Sequence, residues 1–247
     1  MNTPCETTTD IKMPFVPLML SEPQIIILGA ALTVGKTLYV LHLLEENSLK
    51  GSDKKGLVYF VSTPNRVVVK NSGFGKMLET SENIGLHLVN RGIGEQLIFD
   101  MKRKISAFKP EYIVIDGFEK IFDRNMEGVA LLNKVNKLFS DLKLLSTEIN
   151  VPVIVTTTIL LTDEIHSNHT RPLLCRFGSN VVEITAAKHV LNLDSPFHYG
   201  SEENINKEDI WRTMVLYKLN PSSTVIIPTR FEIDKEAERF YPIIKSA

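Results

Sequence analysis

Gln24 to Leu44 reads QIIILGAALTVGKTLYVLHLL, and this stretch decides the fold. Ile25-Ile26-Ile27-Leu28 is a β-branched apolar run of the kind buried strands carry. Small residues follow at Gly29-Ala30-Ala31, then Leu32-Thr33-Val34, then Gly35-Lys36-Thr37, after which Leu38, Leu41 and Leu44 recur at helical spacing. Ala30 to Thr37 meets the phosphate-loop pattern of a small residue, four free positions and Gly-Lys-Ser/Thr, with alanine in the first place. In such a loop the backbone N–H groups and the helix N-terminus surround phosphate oxygens. The pattern predicts Lys36 between β- and γ-phosphates and the Thr37 hydroxyl on Mg²⁺. An ordinary glycine-containing turn would leave the lysine at the helix start without a purpose.

Working outward, strands and helices alternate. Leu57 to Ser62 (LVYFVS) is a second strand, continuously apolar as parallel strands covered on both faces are. A helix is expected over residues 67–78, a short strand over 86–89, and a helix from Gly94 to Phe108 that Pro110 stops. Tyr112-Ile113-Val114-Ile115-Asp116 is an apolar strand ending in an acid; a long amphipathic helix spans 128–148, and Val151 to Thr158 ends another strand in hydroxyls. Four further strands are expected at 180–184, 211–219, 224–227 and 230–233. The pattern predicts an α/β fold, doubly wound, with a mainly parallel sheet, helices on both faces and a C-terminal antiparallel extension. Residues 1–20 are read as a tail to Lys12 followed by an extended apolar segment broken by Pro14 and Pro17, and residues 21–247 as one domain.

In such a sheet ligands bind at the carboxyl ends of the strands. Asp116 falls there and is the expected holder of Mg²⁺, directly or through water. Thr156, Thr157 and Thr158 stand at the same edge, with Thr157 taken as the contact to a γ-phosphate or attacking water; the plain alternative is that hydroxyls close the strand. His166 and His169, with Cys175 following, are too isolated for a metal set and read as a surface loop.

Composition narrows the function. Basic and acidic residues number 28 and 29, a formal net charge of -1, so no global field recruits nucleic acid. Cys5 and Cys175 form no framework of cysteines, which suits a reducing, cytoplasmic setting, and no apolar run reaches bilayer-spanning length.

The phosphate loop, the strand Val58-Tyr59-Phe60-Val61-Ser62-Thr63 and the strand Ile113 to Asp116 together resemble the RecA/KaiC superfamily of P-loop ATPases. With Trp211 to Ser223 (WRTMVLYKLNPSS), the pattern is most similar to the archaellum motor's accessory nucleotide-binding proteins, the H-subunit family. The resemblance implies ATP and Mg²⁺ as cofactors, a motor ATPase or related complex as partner, an ATP-dependent homo-oligomer, and membrane proximity only through such a complex. It also implies that Lys218, on a late hairpin, reaches the nucleotide of a neighbouring subunit, with Arg212 a weaker candidate for that role; a solvated strand lysine is the equal alternative for Lys218. Hydrolysing relatives carry a glutamate just after the second strand; here Val61-Ser62-Thr63-Pro64-Asn65 has none, and Gly117 follows Asp116. Glu119 is the one remaining catalytic candidate, expected to face solvent or to pair with Lys120. The resemblance therefore implies an accessory protein that holds ATP and cleaves it slowly or not at all; a recombinase-paralogue DNA repair mediator and a KaiC-type ATPase are the alternatives. Val34 in the loop, the segment Met13 to Pro23 and the acidic insertion 192–208 depart from the family pattern.

Overall fold

The computed structural model describes residues 11–14, 19–20, 22–30, 36–49, 53–61, 80–122, 128–157, 180–186, 211–220, 223–234 and 239–242, and from residue 180 onward it describes the backbone. Strand β1 (Ile11–Lys12) pairs antiparallel with β2 (Met19–Leu20). The remaining strands form one sheet: β3 (Ile25–Ala30), β4 (Gly56–Val61), β5 (Ile84–Val89), β6 (Tyr112–Asp116), β7 (Val153–Thr157), β8 (Asn180–Ala186), β9 (Trp211–Asn220), β10 (Ser223–Asp234) and β11 (Arg239–Pro242). Their order is β11-β10-β9-β8-β3-β7-β6-β4-β5. From β8 to β5 all pairings are parallel, and from β8 to β11 all are antiparallel. Strand β3 has β8 on one side and β7 on the other, so the strand order reverses at its carboxyl end, the place where a doubly wound sheet opens a crevice.

The central parallel strands are largely apolar because helices cover both faces, with polar residues gathered toward the carboxyl ends of β6 and β7, and side-chain alternation sorts them into two layers. Ile26, Leu28, Val58, Phe60, Val114 and Ile154 pack beneath helix α1 (Lys36–Leu44). Ile25, Ile27, Leu57, Tyr59, Ile113, Ile115, Val153 and Val155 pack against the far layer, with helices α2 (Gln96–Phe108) and α3 (Gly128–Ile149). Each fully buried side chain of this kind contributes about 1.5–3 kcal/mol. Helix α2 ends where Lys109 turns left-handed (φ 52°) ahead of Pro110, since the residue before proline avoids the helical region.

Several expectations are corrected. Lys12 is not part of a loose tail: its N–H donates to Asn47 Oδ1 at 2.9 Å and its carbonyl accepts from Asn47 Nδ2 at 2.8 Å. The helix after the phosphate loop does not stop at Leu44, the last residue of the helical spacing: from Glu45 to Leu49 it continues as a wider π turn. The strands expected at 224–227 and 230–233 are one strand, β10, paired with β9 without a break from Ser223 to Glu232; among the described residues β11 covers only Phe231 to Asp234, so Pro228 has a neighbour strand on one side, the edge setting in which proline is tolerated. Strand β11 itself was not foreseen. The helix expected over 67–78 and the loop with His166, His169 and Cys175 lie outside the described residues.

Candidate functional site

Strand β3 delivers the chain to Ala30, and α1 opens with Lys36 and Thr37; Ala31, Leu32, Thr33, Val34 and Gly35 lie outside the described residues. Across the sheet, Asp116 is the last residue of β6, two strands from β3 with β7 between them. Alternation along β6 puts Tyr112, Val114 and Asp116 on the α1 face, and alternation along β7 puts Ile154 and Thr156 on that same face. Three side chains from three elements thereby converge. The Thr37 hydroxyl donates to Asp116 Oδ2 at 2.7 Å, and the Thr156 hydroxyl donates to Asp116 Oδ1 at 2.6 Å. Thr156 Oγ1 in turn accepts from the Gly117 N–H at 2.9 Å.

Asp116 is 1% exposed. Burial raises its pKa, while hydrogen bonds from Thr156 and Thr37 and the charges of Lys120 and Lys36 pull in the opposite direction. Burial lowers the Lys36 pKa; the carboxylates of Glu119 and Asp116 resist that, and Lys120 adds to it. A carboxylate and an ammonium are thus held in a site that taxes both charges, which is the electrostatic pattern of functional clefts more than of stabilising pairs.

The donor set is hard oxygen: one carboxylate and one hydroxyl facing each other from α1 and β6, which is the chemistry Mg²⁺ takes, alongside waters and phosphate oxygens. Thr37 and Asp116 therefore fit a magnesium-bound nucleotide.

The remaining expected residues fall elsewhere. Thr157 ends β7 with the parity of Val153 and Val155, on the α3 side of the sheet, so it is Thr156 that shares the face of Asp116. Lys218 pairs with Asn180, which pairs with Ile26, four residues before Ala30. At about 3.3 Å per residue, Lys218 lies about 13 Å toward the amino end of the sheet, away from its own loop. Arg212 pairs with Ala186, two residues beyond the partner of Ala30, and so stands level with the loop. Glu119 is not solvent-facing: it is half-buried and is the largest single charge acting on Lys36. Sequence reasoning missed Thr156 as the hub of the site. The two-residue period of β7 narrows the choice, but only the register with β6 selects it.

No family model matches this chain, and no curated protein sequence does. Among solved structures, its fold matches that of a KaiC-like protein from the hyperthermophilic archaeon Pyrococcus horikoshii OT3, with a TM-score of 0.60 over 91% of each chain and 16% sequence identity. The fold is of the RecA/KaiC type. At this identity the match speaks for the fold alone; in this chain the Thr37, Asp116 and Thr156 cluster lies at the carboxyl edge of the sheet between β3 and β6. Among the described residues no helix is long and apolar enough to cross a membrane.

Proposed function

We propose that the chain binds a nucleoside triphosphate, ATP, with Mg²⁺ at the head of α1, and that its nucleotide state governs assembly on a larger complex, an accessory role of the kind found in the archaellum motor. The observation that supports the binding reading most directly is the 2.7 Å hydrogen bond from the Thr37 hydroxyl to Asp116, which unites the end of a phosphate-loop motif with a buried acid two strands away. Backbone N–H groups at the start of α1 would meet the phosphates, Lys36 would neutralise them, and Thr37 and Asp116 would hold the ion. Magnesium, when bound, neutralises charge on the β- and γ-phosphates. The assembly reading rests on the family resemblance, in which Lys218 serves a neighbouring subunit; its register four residues toward the amino end of the sheet from Ala30 is compatible with that role and equally with a plain strand lysine.

The test is Lys36→Ala, with magnesium and ATP titrated by calorimetry and the solution mass measured with and without nucleotide. Wild type at a hundredfold excess over Kd should gain about 2.7 kcal/mol, roughly 5–10 °C in Tm, and should shift to a higher mass. The variant should lose both responses. Retention of the thermal response by Lys36→Ala would overturn the binding reading, and an unchanged wild-type mass would overturn the assembly reading.

A further inference from the structure

The chain after Asp116 is built with more care than a surface turn requires. Gly117 adopts a left-handed conformation (φ 90°, ψ 48°) that turns the backbone sharply, and Phe118–Ile121 forms a single 3₁₀ turn. In a 3₁₀ turn residues three apart eclipse, so the burial of Phe118 and Ile121 in the α3 layer sends Glu119 and Lys120 the other way. The turn is anchored on every side. Phe118 stacks on Phe139 at 4.5 Å and meets Phe122 edge-on at 5.6 Å. Gly117 N–H is held by Thr156, Lys120 N–H donates to the Gly117 carbonyl at 2.9 Å, and the carbonyls of Lys120 and Ile121 accept from Gly92 and Gly94 at 3.1 and 2.9 Å. The backbone that carries Glu119 is therefore fixed three residues beyond the magnesium-type acid, at the same edge of the sheet, with the Glu119 side chain half-buried and within the field of Lys36.

Resting on the nucleotide-binding reading above, we infer that Glu119 is the catalytic carboxylate of this chain, orienting and deprotonating the water that attacks the γ-phosphate, in a position different from the missing acid after β4. The water oxygen forms a bond to the γ-phosphorus, the bond from that phosphorus to the bridging oxygen breaks, and ADP departs with the electron pair. The proton of the water passes to Glu119 and then to solvent, leaving ADP and inorganic phosphate. A rigid turn suits this task, because a general base must be held within hydrogen-bond reach of its water.

The experiment measures ATP binding by calorimetry and phosphate release on the full chain for wild type, Glu119→Gln and Glu119→Asp. Glu119→Gln should bind magnesium-ATP at least as tightly as wild type and release phosphate at least about 100-fold more slowly, with Glu119→Asp in between. Phosphate release by Glu119→Gln within about twofold of wild type would overturn the assignment, as would a wild type that binds ATP and releases no phosphate. A change in affinity with unaltered turnover would make Glu119 a mere counter-ion of Lys36 and would also overturn it. Absence of ATP binding by wild type is a separate result that brings down the binding reading itself.

Discussion

Helix α1 has a buried polar cluster at each end, and the two clusters are made of different chemistry. At its amino end Asp116 and Lys36 are charged groups that burial opposes, the acid pushed up and the lysine down in pKa, with hydroxyls from Thr37 and Thr156 as partial compensation. At its carboxyl end buried His42 and Glu45 lie 3.5 Å apart and Lys12 reaches Glu46 at 3.2 Å, but the network that ties the helix to its neighbours is neutral. Asn47 takes the Lys12 N–H at 2.9 Å and gives its amide hydrogens to Lys12 and Leu43 carbonyls at 2.8 and 2.9 Å. Ser48 donates to the Lys54 carbonyl at 2.6 Å and lies 2.5 Å from the Tyr112 hydroxyl. Neutral groups satisfied in this way add stability and fix the β1 strand to the π turn. Charges kept dry with incomplete compensation weaken the resting fold, and their retention marks a site with a task. Asn47 and Ser48 of the π turn at Glu45–Leu49 belong to the first category: the turn's wider pitch presents Asn47 to β1 and Ser48 to Tyr112.

If this contrast is sound, the carboxyl-end cluster should be the one whose loss hurts stability most. Asn47→Ala removes three hydrogen bonds and leaves the Lys12 N–H and carbonyl without their partner, so unfolding free energy should fall by about 2–4 kcal/mol. The check is urea denaturation, with magnesium-ATP binding measured on the still-folded variant. A stability change under about 0.5 kcal/mol, the usual size for inert surface positions, would erase the distinction between the two ends.

Ser48→Ala should follow with a smaller loss, about 1–2 kcal/mol, because one hydroxyl serves two partners and both are orphaned together. Tyr112 cannot easily shift to find another partner. Its ring and hydroxyl occupy the space over Gly56, where an added Cβ would lie 2.5 Å from them. Ser48→Thr, which keeps the hydroxyl, should recover part of the loss, and equal damage from both variants would refer the effect to packing instead of the hydrogen bonds.

The fold was open to reading from period alone wherever the chain is buried on both faces: Ile25 to Ala30, Tyr112 to Asp116 and the helix over 128–149 declare themselves by composition and by the residues that bound them. Thr37 and Asp116 were readable because the phosphate-loop chemistry allows few residue types. What escaped is what register decides. Thr156 and Thr157 are adjacent and chemically identical, and which one faces Asp116 depends on how β7 aligns with β6. Lys218 and Arg212 exchange their distances from the loop because β9 runs antiparallel to β8, a fact no local pattern carries. Glu119 looked like a solvent residue because its neighbours Phe118 and Ile121 anchor by contacts far along the chain, to Phe139 and to Gly94.

The smallest expected effect has the opposite sign and tests the amino end directly. Asp116→Asn keeps an acceptor for one threonine hydroxyl, lets the other rotate to accept, and removes the buried negative charge. In the absence of nucleotide it should raise stability at neutral pH by about 1 kcal/mol, a Tm gain of about 2–4 °C. The sign follows from linkage. Burial raises the folded-state pKa of Asp116 above its unfolded value, so the folded protein holds this proton more firmly than the unfolded chain does. Its contribution to stability is full below the ordinary carboxylate range near 4 and is lost as pH rises through the elevated folded value. The stability of wild type relative to Asp116→Asn should therefore decline with rising pH across that interval and level off above it. A flat difference from pH 3 to 7, or a less stable asparagine variant at pH 7, would mean that the hydroxyls of Thr37 and Thr156 together with the nearby lysines compensate the carboxylate in full, and the amino end would then be as stabilising as the clamp at the other end of the helix.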